Sequence, residues 1–438
     1  MEASARTARE GPRDPAGHHR ARCTAHCAAR AVRASWWCAL HGLALLLVVA
    51  AAQQWPRSIG FPSASAPVAE RGRRRVFICE SSDENCALHV TLARLRREWL
   101  HRPNWSRDVW FWRHVFEPEA VVLPFSGAAS FLPTDVLVTR WPFVTCNLRG
   151  ADLASFPGTI VYLHGERCDA TTFFARNRFD GARRLVYAGG AERECIAHMA
   201  ALRGIRLVAH VVWPHALQVA PCYAEGASKR GTRALLDRMH ASRARAALDA
   251  LGPRPARAGS VAYLQSNCVP ARESAFDTFA AVFAERGARP APVSLGKCSA
   301  SHPELHAPEG AGRSNHFEES VAAFSRFRFA LVMESSIRPF YATERIINAF
   351  LAGVVPVYAG HRDTAVRWLN PDAVVWLDLE DARSAAERVV RMLANRTDYV
   401  AALRAPVASP DQIDEWFAVD VAGARARSRF VEAVLGSP

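Results

Sequence analysis

Several common catalytic signatures are missing from this chain of 438 residues. It has no GxGxxG turn, no Walker loop and no GxSxG elbow, which removes the usual dinucleotide, NTPase and hydrolase readings. It also has no CxxC pair and no HExxH helix, so zinc lacks an evident ligand set. A DxD segment in a loop suited to metal is lacking too, and the chain shows no internal repeat. Diphosphate chemistry on such a chain has to rely on Arg, Lys and backbone N–H groups rather than on a tightly held metal.

Charge is plentiful but one-sided. The formal net charge is +13, a balance that points to nucleic acid, a membrane surface or an anionic ligand. Part of it has a plainer origin, because residues 1–33 carry seven Arg against Glu2, Glu10 and Asp14 with no apolar period. Ala and Arg richness runs through the rest of the chain, so nucleic acid is not the expected partner.

Residues 34–52 contain no Asp, Glu, Lys or Arg and include the run ALHGLALLLVVAAA, long enough to cross a hydrocarbon core of about 30 Å as a helix. A transmembrane anchor is the expectation. A cleaved signal peptide would have a shorter apolar core and a shorter leader. A buried core helix fits poorly with Trp36 and Trp37 at the basic edge, where an interfacial aromatic belt would sit. The Arg-rich side, residues 1–33, is then a cytoplasmic tail, and everything beyond residue 52 is luminal.

Cysteine usage agrees. Cys79, Cys86, Cys146, Cys168, Cys195, Cys222, Cys268 and Cys298 follow the span, an even set that allows up to four disulfides whose pairing the sequence does not decide. Sequons at Asn104 and Asn395 fit a glycosylated luminal protein, although such triplets also arise by chance.

Residues 53–75 are rich in Pro, Ser, Ala and Arg and read as a stem. Its basic end is either a solvated stretch or a protease site. Strands are predicted at 75–79, 135–139, 159–163, 185–187 and 205–212, with a helix at 87–100. This alternation implies a mostly parallel sheet in a first domain, 76–222. Residues 223–259 read as an interdomain connection containing a basic helix at 232–251. A second domain, 260–438, is expected to place strands at 260–264, 293–295, 329–333, 354–358 and 373–377, with helices at 272–286, 382–394 and 412–435. The fold class is α/β with two Rossmann-like domains.

The stretch from Phe327 to Gly360 is the most informative. An apolar strand ends in Glu334-Ser335-Ser336, then Tyr341, Thr343, Glu344 and Arg345 open a helix, and a second strand closes at Gly360. Polar groups collected at the carboxyl ends of parallel strands mark a ligand crevice, and a helix N-terminus there favours phosphate. Arg272, Lys297 and Arg345 lie at successive strand ends. Any one of them alone reads as a solvated charge, and their joint placement is what points to a nucleotide.

These residues carry a resemblance. FRFALVMESS, YATER and AGVVPVYAG are similar to the α1,3-fucosyltransferases of glycosyltransferase family 10, with their F-E-N-S, T-E-K and A-G-x-V-P blocks. Upstream, VAYLQSNC (261–268) with Arg272, and LGKC (295–298), resemble the family's V-A-W-x-x-S-N-C and Y-G-K-C blocks. The resemblance covers residues 260–380 and fades in the first domain. It implies a GT-B architecture, with an N-terminal acceptor-side domain and a C-terminal donor-binding domain across a cleft, and inverting transfer of L-fucose from GDP-fucose to a GlcNAc-containing glycan or glycoprotein. No tightly bound cofactor is implied, and a divalent cation enters at most as a stimulant.

Carried over residue by residue, Arg272 and Arg345 would face the diphosphate, with Asn267 and Lys297 beside them. Tyr341 and Glu344 would contact the nucleotide sugar, and Glu334 would orient the loop. Glu344 and Arg345 could equally serve as helix cap and solvated charge. Ser335 stands where the family has Asn, and Arg345 where it has Lys, a planar fork in place of a point donor. Inversion also needs a base to deprotonate the acceptor hydroxyl. The resemblance puts Glu166 there, with His164 as an alternative and Glu80 and Asp83 ranked lower. The expected protein is a Golgi, single-pass type II membrane enzyme. The alternatives are a GT-B transferase using another nucleotide sugar and an inactive luminal glycan-binding relative.

Overall fold

The computed structural model describes residues 73–78, 107–124, 131–140, 156–164, 184–190, 193–202, 204–214, 216, 231–252, 257–298 and 318–436. The expected anchor at 34–52, nearly all of the stem, the helix at 87–100, Glu80, Asp83, Asn104 and Glu166 lie outside them. Among the described residues no helix is long and apolar enough to cross a membrane.

Two parallel sheets organise the chain. The first runs in the order β2-β1-β3-β4-β5-β6, from β1 (Arg74–Ile78), β2 (Ala120–Pro124), β3 (Val136–Arg140), β4 (Thr159–His164), β5 (Arg184–Gly189) and β6 (Arg206–Val212). Its strands are β-branched and aromatic runs whose alternate residues serve two buried faces, as sheets covered on both sides require. Val76, Val136, Val138, Val161 and Val186 enter one apolar layer. Phe77, Leu137, Ile160, Tyr162 and Tyr187 enter the other.

The second sheet has the order β11-β10-β9-β7-β8, from β7 (Gly259–Tyr263), β8 (Val293–Ser294), β9 (Phe327–Met333), β10 (Val355–Ala359) and β11 (Val375–Trp376). In sequence order this is a 2-1-3-4-5 arrangement, so the winding reverses between β7 and β9. Doubly wound sheets bind ligands in the crevice at that reversal. Both sheets lie in one compact unit, and a single apolar cluster draws on a face of each, from Val161 and Val186 to Ala330, Val332 and Tyr358.

The helix Thr232–Leu251, expected within a connection, packs on the second sheet's helices. Its Arg243, which is 1% exposed, donates to the carbonyls of Val354, Ala373, Ala402 and Ala405, and burial lowers its pKa to about 10. The helix expected to run unbroken over 412–435 is interrupted. A π-helical turn, Ile413–Phe417, buries Trp416 and Phe417, Gly423 takes φ +81°, and a separate helix, Arg425–Leu435, follows. This last helix reaches the first sheet, where Phe430 stacks on Trp112 at 5.7 Å and meets Trp213 edge-on at 5.4 Å. Full burial of each such ring is worth about 2–3 kcal/mol. Arg427 Nη1 donates to Glu119 Oε1 at 2.9 Å and its Nη2 to the Glu117 carbonyl at 2.8 Å.

Candidate nucleotide site

The strand-helix-strand unit folds as its residues dictate. β9 is buried along nearly its whole length, and the helix Glu344–Leu351 turns an almost continuously apolar face inward. Gly353 ends that helix at φ +66°, where a Cβ would lie 2.5 Å from the Ser242 carbonyl oxygen. Only glycine takes that turn without strain. This is the physical content of the A-G-x-V-P block.

Arg272 sits at the point of reversal. It is fully buried in the first turn of the helix Pro270–Glu285, its Nε donates to the Glu334 carbonyl at the end of β9, and its Nη1 donates to the Asn267 carbonyl beyond β7, both at 3.3 Å. Its Nη2 is buried without a hydrogen-bond partner. Such a donor is costly unless something accepts from it. Burial, and next the nearby positive charge of Arg345, lower the guanidinium pKa. Two cations that repel one another, the buried one without a paired carboxylate among the described residues, suit a ligand carrying negative charge.

Glu334 is the structural centre of the loop. Its carboxylate accepts from Thr343 N at 2.9 Å and from Thr343 Oγ1 at 2.8 Å, with Tyr358 OH at 3.5 Å. Arg345 Nη1 lies 3.7 Å from Glu334 Oε2 and donates to Thr343 Oγ1 at 2.9 Å. Burial pushes the Glu334 carboxyl above its ordinary range, and Arg345 and the Thr343 bonds oppose the shift. Arg345 therefore spends part of its fork on the start of its own helix. Glu344 is buried in the same turn. Ser335 Oγ and Tyr341 OH share a hydrogen bond of 2.8 Å, which ties the two ends of the loop together.

On the other flank Cys268 and Cys298 form a disulfide, joining the segments that follow β7 and β8. With Glu273 they bring metal-type ligand atoms within 4.8 Å of one another, but the two sulfurs are bonded to each other and offer no thiolate. Lys297 N donates to the Gln265 carbonyl at 2.9 Å, and the Lys297 side chain is exposed. Gln265 was not expected here. It is 3% exposed, and its Nε2, like Arg272 Nη2, is buried without a partner. The signal was its place in VAYLQSNC, where a primary amide ends an otherwise apolar strand.

The structure thus brings together Asn267, Arg272, Glu334, Ser335, Tyr341, Glu344 and Arg345 around the ends of β7 and β9, with Lys297 at the neighbouring strand. Glu166 lies outside the described residues, and His164 ends β4. Asn395 is exposed and caps the helix Arg396–Arg404 through Oδ1, while its Nδ2 donates to Asp398 Oδ2 at 2.9 Å. A glycan on Nδ2 would leave the cap in place.

A doubly wound parallel sheet with a buried arginine at its reversal point is the architecture in which α/β domains seat ligands. Residues 257–404 match the family model described as the C-terminal domain of glycosyltransferase family 10 (fucosyltransferase). This part of the chain is similar to family 10 glycosyltransferase domains. No curated protein matches the chain. Among solved structures it is similar to an α1,3-fucosyltransferase, at 14% identity over 85% of this chain and 92% of that one, with a TM-score of 0.48. An α1,3-fucosyltransferase with GDP-fucose gives 13% identity, 83% and 90% coverage and a TM-score of 0.43. A DNA-modifying β-glucosyltransferase gives 11%, 83% and 99%, and 0.46.

Proposed function

We propose that the chain is an inverting fucosyltransferase that moves L-fucose from GDP-fucose to a GlcNAc-containing glycan in α1,3-type linkage. The observation that carries this reading is Arg272, buried at the β7/β9 reversal inside the family 10 domain, with one donor unmatched and Arg345 beside it. In this reading Arg272 and Arg345 neutralise the diphosphate as the bond from the fucose anomeric carbon to the β-phosphate oxygen breaks. Glu166 takes the acceptor hydroxyl's proton, the acceptor oxygen attacks from the opposite face, and GDP departs. Tyr341 and Glu344 lie where the nucleotide sugar would pass, and Asn267 and Lys297 line its approach. A divalent cation, if used, stimulates from solution.

We further propose that residues 34–52 anchor the chain in the Golgi membrane as a single-pass type II protein, with residues 53–75 as stem, a luminal catalytic part, and glycans on Asn104 and Asn395. Charge asymmetry about residues 34–52 supports the orientation. The Cys268–Cys298 bond and the disulfide-bonded Cys195 support an oxidising compartment.

Calorimetry of the full-length chain in detergent with GDP and UDP tests the donor. GDP should bind in preference, and Arg272→Ala should weaken it by about 100-fold, within the range for unpairing a buried charged contact. Preference for UDP would overturn the GDP-fucose reading in favour of another nucleotide sugar, the alternative that Ser335 and Arg345 raise. Equal affinity in Arg272→Ala would remove Arg272 from the site. Glu166→Gln should abolish transfer while sparing GDP binding. Undiminished transfer would assign the base elsewhere.

A further inference from the structure

The loop between β9 and the helix Glu344–Leu351 has a second face that the donor site does not use. Phe340 is the one non-glycine residue in the left-handed region among the described residues, at φ 58°. A bulky side chain seldom adopts this conformation unless its surroundings impose it. Three contacts hold it. Phe340 N donates to Thr364 Oγ1 at 2.9 Å, its ring stacks on Trp416 at 5.7 Å, and the Arg367 guanidinium lies over both rings at 5.2 and 5.4 Å.

The first sheet grips the same stretch of backbone. Ala216 N donates to the Ala342 carbonyl at 2.9 Å. Gly190, immediately after β5, approaches so closely that a Cβ there would lie 2.3 Å from the Phe340 carbonyl oxygen. One residue either side of Ala342 are Tyr341, bonded to Ser335, and Thr343, bonded to Glu334. Contacts to the first sheet and contacts to the donor seat therefore alternate along four consecutive residues.

We infer that residues 335–343 act as a strap through which the first domain sets the donor site, with Phe340 as its positioning residue. This rests on the donor reading above for its consequence, though not for its geometry. When Gly190 and Ala216 hold the strap, Phe340 is locked in its unusual conformation, and Tyr341 and Thr343 are delivered to Ser335 and Glu334. When the first domain shifts, the strap loses both contacts and the donor seat loosens. Donor affinity thereby depends on a domain that need not touch the donor.

Three variants of the full-length chain test this. Gly190→Ala forces the Phe340 carbonyl away, Phe340→Asn tolerates the left-handed backbone but lacks the ring, and Phe340→Tyr keeps the ring. Hydrogen exchange without ligand should accelerate at least 10-fold over 335–343 and at Ala216 in Gly190→Ala. Unchanged protection there would overturn the strap. GDP affinity should fall about 10-fold in Gly190→Ala and Phe340→Asn and stay within 2-fold in Phe340→Tyr, with kcat at saturating donor changed less than KM. Equal GDP affinity in all three would overturn the coupling. So would a loss in Phe340→Tyr matching that in Phe340→Asn, or losses that simply follow Tm, since either would mark a merely structural ring. If GDP fails to bind the unaltered chain, the donor reading falls, and the exchange measurement still decides the strap.

Discussion

A carboxylate as deeply buried as Glu334 is tolerable only because Thr343 supplies two donors and Arg345 a nearby charge. Its raised pKa has a definite sign in stability. A carboxyl that binds its proton more tightly when folded contributes fully below its unfolded value, near 4.5, and loses that contribution as pH rises through the folded value. The Tm of the wild type relative to Glu334→Gln should therefore fall as pH climbs from about 4.5 and level off once the folded carboxyl has ionised. A difference independent of pH would show that this carboxyl titrates normally. Arg345 offers a second check. Arg345→Lys introduces the lysine of the family 10 T-E-K block that this segment resembles but gives up the fork that reaches both Thr343 and Glu334. Weaker GDP binding, by about 3–10-fold, is expected by calorimetry if one charge-assisted bond is lost.

At the scale of elements, local chemistry decided what the sequence made legible. The strand expected at 260–264 is found at Gly259–Tyr263 and that at 329–333 at Phe327–Met333, because each is an apolar run closed by polar turn residues. The helices at 232–251 and 382–394 match throughout, since both have clear periods and clear ends. β2 and the helix Arg107–Phe116 escaped. The first is a five-residue run bounded by Pro118 and Pro124, and the second carries Trp and Phe on several sides and no clean stripe. The break at 418–424 was hidden because Trp416, Phe417 and Val419 continue an apolar period through a segment that is not one helix. Around the candidate site, the placement of Arg272 and Glu334 at strand ends was legible from their blocks, whereas the approach of Gly190 to Phe340 joins residues 150 positions apart. Gly353→Ala should cost about 1–3 kcal/mol in denaturant unfolding, the range for an alanine forced to positive φ. Close approach to Ser242 adds to that cost, and an unchanged midpoint would contradict the turn.

At the scale of the whole molecule, the last helix stitches the chain closed. Arg427, 6% exposed, reaches the carbonyls of His114 and Glu117 and the Glu119 carboxylate, more than 300 residues away. Arg427→Ala should lower Tm by roughly 5 °C, as loss of about 2 kcal/mol would do, while GDP affinity stays within 2-fold. Scanning calorimetry with and without GDP separates the two effects. A large loss of GDP binding would mean that the closing helix, and not only the strap, governs the donor site.

Lysine gives the site a built-in reporter. Of the 55 Lys and Arg residues only Lys229 and Lys297 are lysines, and Lys297 stands exposed beside Gln265 at the edge of the proposed nucleotide site. An amine-directed reagent therefore has two side-chain targets in the entire protein. Protection of the Lys297 peptide by GDP, with Lys229 as the internal control, would read out occupancy of the proposed site without purification, radiolabel or knowledge of the acceptor.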